Sequence, residues 1–325
     1  MQLPRRRFLN LAATAVAMPA LLRSAHADVY PSRPIHLLVG FPPGGTADII
    51  ARLIGEALGE RLRRTFVVEN RGSAAQQIAA DSVVKAVPDG YTLLMVANPN
   101  VINAVINPDI SFSFTRDLAP VGGIASDPAI LVVNPKVPVK TVPELIAYAK
   151  ANPGKLNMAS GGVGSTPHLA GELFKMLTGV NMLHVPYRGD APAVTDMLAG
   201  QDQVMFDMVI LSQSHVRSGD LRGLAVTSAK RLALFPDLPP VADFVPGYEA
   251  FAWQGLMAPK DTPRKIVSHL NTELNAALAD PKIQKRLSDL GGIPMPMTPA
   301  GFGKLIVSEM NKWDNVLKFA NIKTG

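Results

Sequence analysis

The stretch Val39-Gly40-Phe41-Pro42-Pro43-Gly44-Gly45-Thr46-Ala47-Asp48 joins an apolar run, residues 35–39, to a helix-like run that begins at Ile49. Pro42-Pro43 ends a strand, because proline has no N–H to give to a ladder. Gly44-Gly45 admits backbone conformations that a side chain forbids and leaves the N–H groups uncovered. Thr46 and Asp48 are then expected as N-caps of the following helix. A strand, a bare glycine turn and a helix N-terminus together attract anions. The same residues also suffice for a tight strand-to-helix turn with no ligand.

Outward from this turn, strands alternate with helices. Residues 35–39, 66–70 and 91–96 read as strands, and 46–63 and 78–86 as helices. This alternation argues for a parallel α/β sheet. Residues 98–113 are asparagine-rich and read as irregular, with a short near-duplication at 100–107. Residues 118–124 and 129–133 form two further apolar runs. Thr141 with Glu144 opens a helix as a capping box. Then the opening pattern returns: a short strand at 156–160, the turn Gly161-Gly162-Val163-Gly164-Ser165-Thr166, and Pro167 starting a helix that continues from His168. Strands at 182–187, 203–206 and 224–227 follow, with a helix at 191–199 between the first two. The chain closes with a strand at 251–258 and helices over 264–278, 281–290 and 299–319.

Length and composition bound the function. A chain of 325 residues favours two domains, and 47% hydrophobic with 18% charged residues describes a protein with a substantial core. With no cysteine, disulfides, thiolate metal sites and cysteine nucleophiles are excluded. The first 27 residues carry Arg5-Arg6-Arg7-Phe8-Leu9, a short apolar region and Ala25-His26-Ala27. This is the pattern of an export signal and is twin-arginine-like. Removing its four arginines from the 32 basic residues leaves 28 against 26 acidic ones, so the basic character belongs mostly to the leader. Nothing in the remainder points to nucleic acid.

Enzyme signatures fail when spelled out. Gly162-Val163-Gly164-Ser165-Thr166 has the wrong register for a nucleophile elbow. Pro167 occupies the place of a third dinucleotide-turn glycine, and the histidines never fall at metal-ligand spacing. A hydrolase built from Ser160 or Ser165 with His168 needs a base within reach of the nucleophile and a third residue to orient that base. His168 either touches a ligand from the first helical turn or packs locally. Asp207 ends a strand at the edge where α/β sheets hold ligands. It either accepts from a ligand's ammonium or hydroxyl or caps the next turn. If the two glycine turns belong to different domains, both present N–H groups to the cleft between them.

Several segments together resemble a known family: Phe41-Pro42-Pro43-Gly44-Gly45-Thr46-Ala47-Asp48, Val68-Glu69-Asn70-Arg71, Pro88-Asp89-Gly90-Tyr91-Thr92-Leu93, His168-Leu169-Ala170-Gly171-Glu172-Leu173-Phe174, His184-Val185-Pro186-Tyr187-Arg188-Gly189 and Val204-Met205-Phe206-Asp207. They are similar to the Bug-type substrate-binding proteins of tripartite tricarboxylate transporters, in the right order over nearly the whole mature chain. The resemblance implies a type II periplasmic binding-protein fold, α/β, with two domains and a ligand cleft between them. One domain is expected to hold residues 28–127 and 250–325, the other residues 128–249. The resemblance also implies a non-enzymatic receptor without cofactor or metal, monomeric and periplasmic. It would bind a small carboxylate (a di- or tricarboxylate, an acidic amino acid or an aromatic acid) and deliver it to a membrane permease. A ligand sensor signalling to a membrane partner is the alternative output of the same fold.

By the same resemblance, Phe41, Pro42, Gly44, Gly45, Thr46 and Asp48 form the first ligand turn. Ser160, Gly161, Gly162, Gly164, Ser165, Thr166 and His168 form the second, and Asp207 is the cleft aspartate. The family's glycine-rich loop is replaced here by Gly72-Ser73-Ala74-Ala75-Gln76-Gln77, whose two glutamines and fewer glycines are expected to put larger donors and acceptors at the cleft edge, with Ser73 and Gln76 as ligand residues.

Overall fold

The structure is a computed structural model that describes residues 30–72, 77–107 and 110–322. The export signal, Ser73 and Gln76 lie outside the described residues. In the first lobe, β1 (Ile35–Val39) lies between β2 (Phe66–Asn70) and β3 (Thr92–Ala97), parallel to both. Helix α1 (Thr46–Leu62) covers this sheet with Ile50, Leu53, Ile54 and Leu58, and α2 (Gln77–Val84) follows β2. Ile35, Leu37, Leu38 and Val39 are all buried, as expected for a parallel strand covered on both faces.

Residues 98–113 depart from the expected irregular stretch, since Asn98–Ile106 is helix α3. The apparent duplication is helical periodicity: Val101 and Val105, like Ile102 and Ile106, stand one turn apart. Asn100 Oδ1 accepts from the Ala97 N–H at 2.8 Å and so ties down the helix start.

The two apolar runs at 118–124 and 129–133 form one long strand, β4 (Leu118–Val133). Up to Pro128 it pairs antiparallel with β9 (Phe251–Pro259), which in turn pairs with β3. From Ala129 it pairs antiparallel with β7 (Val204–Met208) and, from Ile130, with β8 (Arg222–Val226). The second lobe continues through β5 (Asn157–Ser160) and β6 (Leu183–Pro186), giving the order β2-β1-β3-β9-β4-β7-β5-β6. Helices α4 (Val142–Ala151), α5 (Thr166–Thr178) and α6 (Asp190–Ala199) accompany these strands. Thr141 accepts from the Glu144 N–H as expected, while the Glu144 carboxylate bonds back to the Lys140 N–H at 2.6 Å. Helix α7 (Val209–Ser218), absent from the sequence reading, begins directly after β7.

Helices α8 (Arg264–Leu278) and α9 (Pro281–Asp289) return to the first lobe, and the short strand β10 (Ile293–Pro294) pairs with β4. The last helix, α10 (Pro299–Phe319), enters both cores. Phe302 and Ile306 pack with Trp253 and Leu94, while Trp313, Val316 and Leu317 pack with Leu145 and Phe174.

Candidate functional site

The first glycine turn is held from below. Thr46 and Asp48 are not N-caps: Gly45 takes that position, in extended conformation and with no side-chain bond. Asp48 instead sits in the first turn of α1, 3% exposed, and its carboxylate reaches back to the Gly44 N–H at 2.8 Å. Asn70 at the end of β2 donates to Asp48 Oδ1 at 2.9 Å and to the Phe41 carbonyl at 3.1 Å. Arg52, one helical turn on, donates to the same carboxylate at 3.1 Å. Burial raises the Asp48 pKa, but the bonds from Arg52, Gly44 and Asn70 together outweigh it and hold the group below the ordinary aspartate value. Gly44 has φ +82°, a conformation that only glycine adopts without strain. Its N–H is committed to Asp48, while those of Gly45, Thr46 and Ala47 have no protein partner among the described residues. Phe41 is half-buried, and Pro42, Gly44, Gly45 and Thr46 are exposed.

The second turn uses more of its own donors. Gly162 N–H donates to Ser160 Oγ at 3.2 Å, and Gly164 N–H donates to His168 Nδ1 at 3.0 Å. Ser165 is the N-cap of α5, accepting from the His168 N–H at 3.4 Å. Gly161 is required by close approach, because a Cβ there would lie 2.1 Å from Asp190 Oδ1. Thr166 is buried at the first helical position.

His168 is 3% exposed and its ring stacks on that of His184 at 3.7 Å. Burial lowers its pKa to about 3, helped by the neighbouring His184 and Lys175, and burial with Lys175 lowers His184 to about 4. Both rings are therefore neutral at pH 7. They line a groove of about 710 Å³ beside Glu172, Lys175 and the end of α10. The sequence-based serine pairings do not assemble. His168 Nδ1 is taken by Gly164, Ser165 serves as a cap, and fully buried Ser160 instead bonds His184 Nε2 at 2.6 Å.

Between the two sheets lies a separate cavity of about 220 Å³. Thr46 of the first turn lines it, as does Asp190, whose carboxylate lies against Gly161 of the second. The crossing strands add Asp127 and Pro128 of β4 and Gln254 of β9, and the start of α7 adds Val209, Ile210 and Leu211. Gln254 Nε2 donates to Asp127 Oδ2 at 2.7 Å. Burial pushes Asp127 up to about 6 against that bond, and also raises Asp190. Asp207 stands behind the wall at the foot of α7, fully buried. Its carboxylate accepts from Ser212 Oγ and from the Met208 N–H at 2.9 Å. Burial pushes it up to about 7. The Ser212 bond opposes that rise and the Asp190 charge adds to it.

A family model described as the tripartite tricarboxylate transporter family receptor matches residues 50–322. The chain belongs to this receptor family. BugT of Bordetella pertussis is 35% identical over 98% of each chain. Among solved structures, Rpa4515 of R. palustris with adipate is 36% identical, with a TM-score of 0.73 over 90% of this chain and 99% of that one. MatC of Rhodopseudomonas palustris with bound malate is 29% identical, with a TM-score of 0.69 over 89% of this chain and all (100%) of that one. Receptors of this family bind small carboxylates and work with a transporter, and their two-lobed α/β fold is the one found here. Among the described residues no helix is long and apolar enough to cross a membrane.

The cavity also contains residues that sequence reasoning missed: Asp127, Asp190 and Gln254. The signal was present for Gln254, the one amide in the apolar run 251–258. Asp127 and Asp190 gave no comparable signal, since an aspartate before proline or after glycine reads as an ordinary turn residue.

Proposed function

We propose that this chain is an exported receptor that closes its two lobes on a small carboxylate and passes it to the membrane permease of a tripartite tricarboxylate transporter. Closure joins residues 28–127 and 250–325 to residues 128–249, and the receptor works as a monomer in the periplasm after removal of a twin-arginine signal. One observation carries the reading. A cavity of metabolite size lies where the two sheets meet, touched by the first glycine turn and by Asp190 beside the second. Its volume of about 220 Å³ equals the liquid share of about seven waters, which suits a small organic acid. The carboxylate is held at the N-terminus of α1, where the N–H groups of Gly45, Thr46 and Ala47 are free of protein partners among the described residues. Adipate and malate in two relatives support the ligand class. The experiment is thermal unfolding of the purified chain against di- and tricarboxylates, acidic amino acids and aromatic acids. A ligand that binds only the native state raises the midpoint. No shift with any member of the panel refutes the reading.

A further inference from the structure

We infer that the Glu309–Lys312 pair of α10 is the clamp of the hinge and sets the resting angle between the two lobes. The inference rests on the receptor reading above in taking the lobes to move, and adds what governs that motion. The chain crosses from the second lobe back to the first within a few residues: Tyr248 and Ala250 are buried in the second core, and Trp253 in the first. Helix α10 grips this crossover at two points. Lys312 Nζ donates to the Glu249 carbonyl at 3.0 Å, and Trp253 Nε1 donates to Glu309 Oε2 at 3.3 Å. The same carboxylate oxygen accepts from Trp313 Nε1 at 2.8 Å, and Trp313 is buried in the second core. Both tryptophans of the chain, one from each core, thus hang on one oxygen. Lys312 completes the clamp by donating to Glu309 Oε1, with its ammonium over the Trp313 ring at 4.6 Å.

Glu309 is 3% exposed and both indoles are fully buried, so losing a partner here is costly. Buried hydrogen bonds to a charged group are also the strong ones, and they constrain geometry most. The grip falls on the strand that lines the interlobe cavity. Successive strand residues point to opposite faces, so Trp253 faces α10 while Gln254 faces the cavity and bonds Asp127 of β4 at 2.7 Å. The two crossing strands and α10 are therefore sewn together, Asp127 to Gln254 and Trp253 to Glu309. When the lobes rotate, each indole moves with its own core, so the oxygen they share favours one angle over the others. That angle fixes what fraction of the free receptor is already closed, and apparent affinity scales with that fraction. The clamp thus acts on affinity without touching the ligand.

The chain has no cysteine, so Glu60→Cys on α1 and Ala199→Cys on α6, both at exposed positions, place one spin label on each lobe. Double electron–electron resonance on the full chain without ligand then reads the interlobe distance. It is measured in this labelled parent and with Glu309→Gln, Trp253→Phe or Lys312→Met added. Lys312 is only half-buried, so its variant keeps the test open where a core variant fails to fold. The expected result is one narrow distance in the parent, and in each folded clamp variant a displaced mean or a width about twofold larger. Circular-dichroism melts of the same samples record stability. Variants that melt lower yet keep the parent's distance distribution make Glu309 an ordinary core partner and overturn the inference, as does a broad distribution in the parent itself. In those cases the carboxylate receptor survives, because the thermal panel tests it separately. A panel without a single shift removes the receptor reading and leaves the clamp to be judged by the distances alone.

Discussion

Replacing Asp48 by alanine should loosen the first glycine turn and lower stability measurably. The carboxylate is 3% exposed and collects donors from Gly44 at 2.8 Å, Asn70 at 2.9 Å and Arg52 at 3.1 Å. A hydrogen bond to a charged group contributes about 1.5–3 kcal/mol when buried. Arg52 is 54% exposed, so its share is discounted to about 0.5 kcal/mol for solvent screening. Gly44 lies in an exposed turn where water replaces its partner, which leaves Asn70 as the main loss. The expected total is about 2–3 kcal/mol, a fall in Tm of about 3–5 °C for a protein of this size.

The pH dependence carries a sign. The folded-state pKa of Asp48 lies below its unfolded value, so its contribution is complete above the ordinary aspartate pKa of about 4 and fades as pH falls through the lowered value. The gap in Tm between the wild-type chain and Asp48→Asn should therefore stay constant from pH 8 to pH 5 and narrow below about pH 4. Calorimetric or circular-dichroism melts across that range measure it. A loss of less than about 1 °C in Asp48→Ala, or a gap as wide at pH 3 as at pH 7, would show that the clasp does not hold the turn.

Other residues give independent outcomes. Asp207 is pushed up to about 7, so the folded state binds the extra proton and stability falls as pH rises from about 4 to 7; Asp207→Asn should gain stability over wild type at pH 8 and little at pH 4 in the same melts. A Cβ on Gly255 would lie 2.0 Å from Phe302 Cζ in a fully buried contact, so Gly255→Ala should cost at least about 1–3 kcal/mol in urea unfolding. Ser165→Ala should lose only about 0.5–1 kcal/mol, because its capping bond is long at 3.4 Å, and should leave background ester hydrolysis unchanged.

Periodicity and turn chemistry made most of the architecture legible. Apolar runs such as Ile35–Val39 and glycine turns at 44–45 and 161–164 mark strand-turn-helix units by purely local physics. The misreadings have local causes too. Asparagines at positions 98, 100, 103 and 107 masked the four-residue spacing of valine and isoleucine that makes α3 a helix. Asp48 has the composition of a cap, but its partners Asn70 and Arg52 lie on other turns and strands, and only folding brings them to it. His168 read either as a ligand residue or as a locally packed one; its Nδ1 bonds Gly164 and its ring packs on His184 of a neighbouring strand, contacts that only folding makes. The acceptors of the cavity were the least legible. Asp127 and Gln254 are far apart in sequence and meet only because β4 and β9 run antiparallel at the crossing between the lobes.

That crossing assigns different mechanical roles to the two ends of the cavity. Asp127 and Gln254 lie on β4 and β9, with Asp127 opposite Ala252 and Ala125 opposite Gln254, in the ladder that continues into both sheets. Residues in such a ladder move least when lobes rotate about it, since its backbone hydrogen bonds must survive the motion. Thr46 rides on a helix of the first lobe, and Asp190 on a helix of the second. On the receptor reading, a ligand would meet Asp127 and Gln254 while the cleft is open. The N-terminus of α1 would engage it only as the lobe carrying α1 swings in. Truncating Gln254 should then slow capture by the open form, whereas loosening the turn through Asp48 should speed release from the closed one.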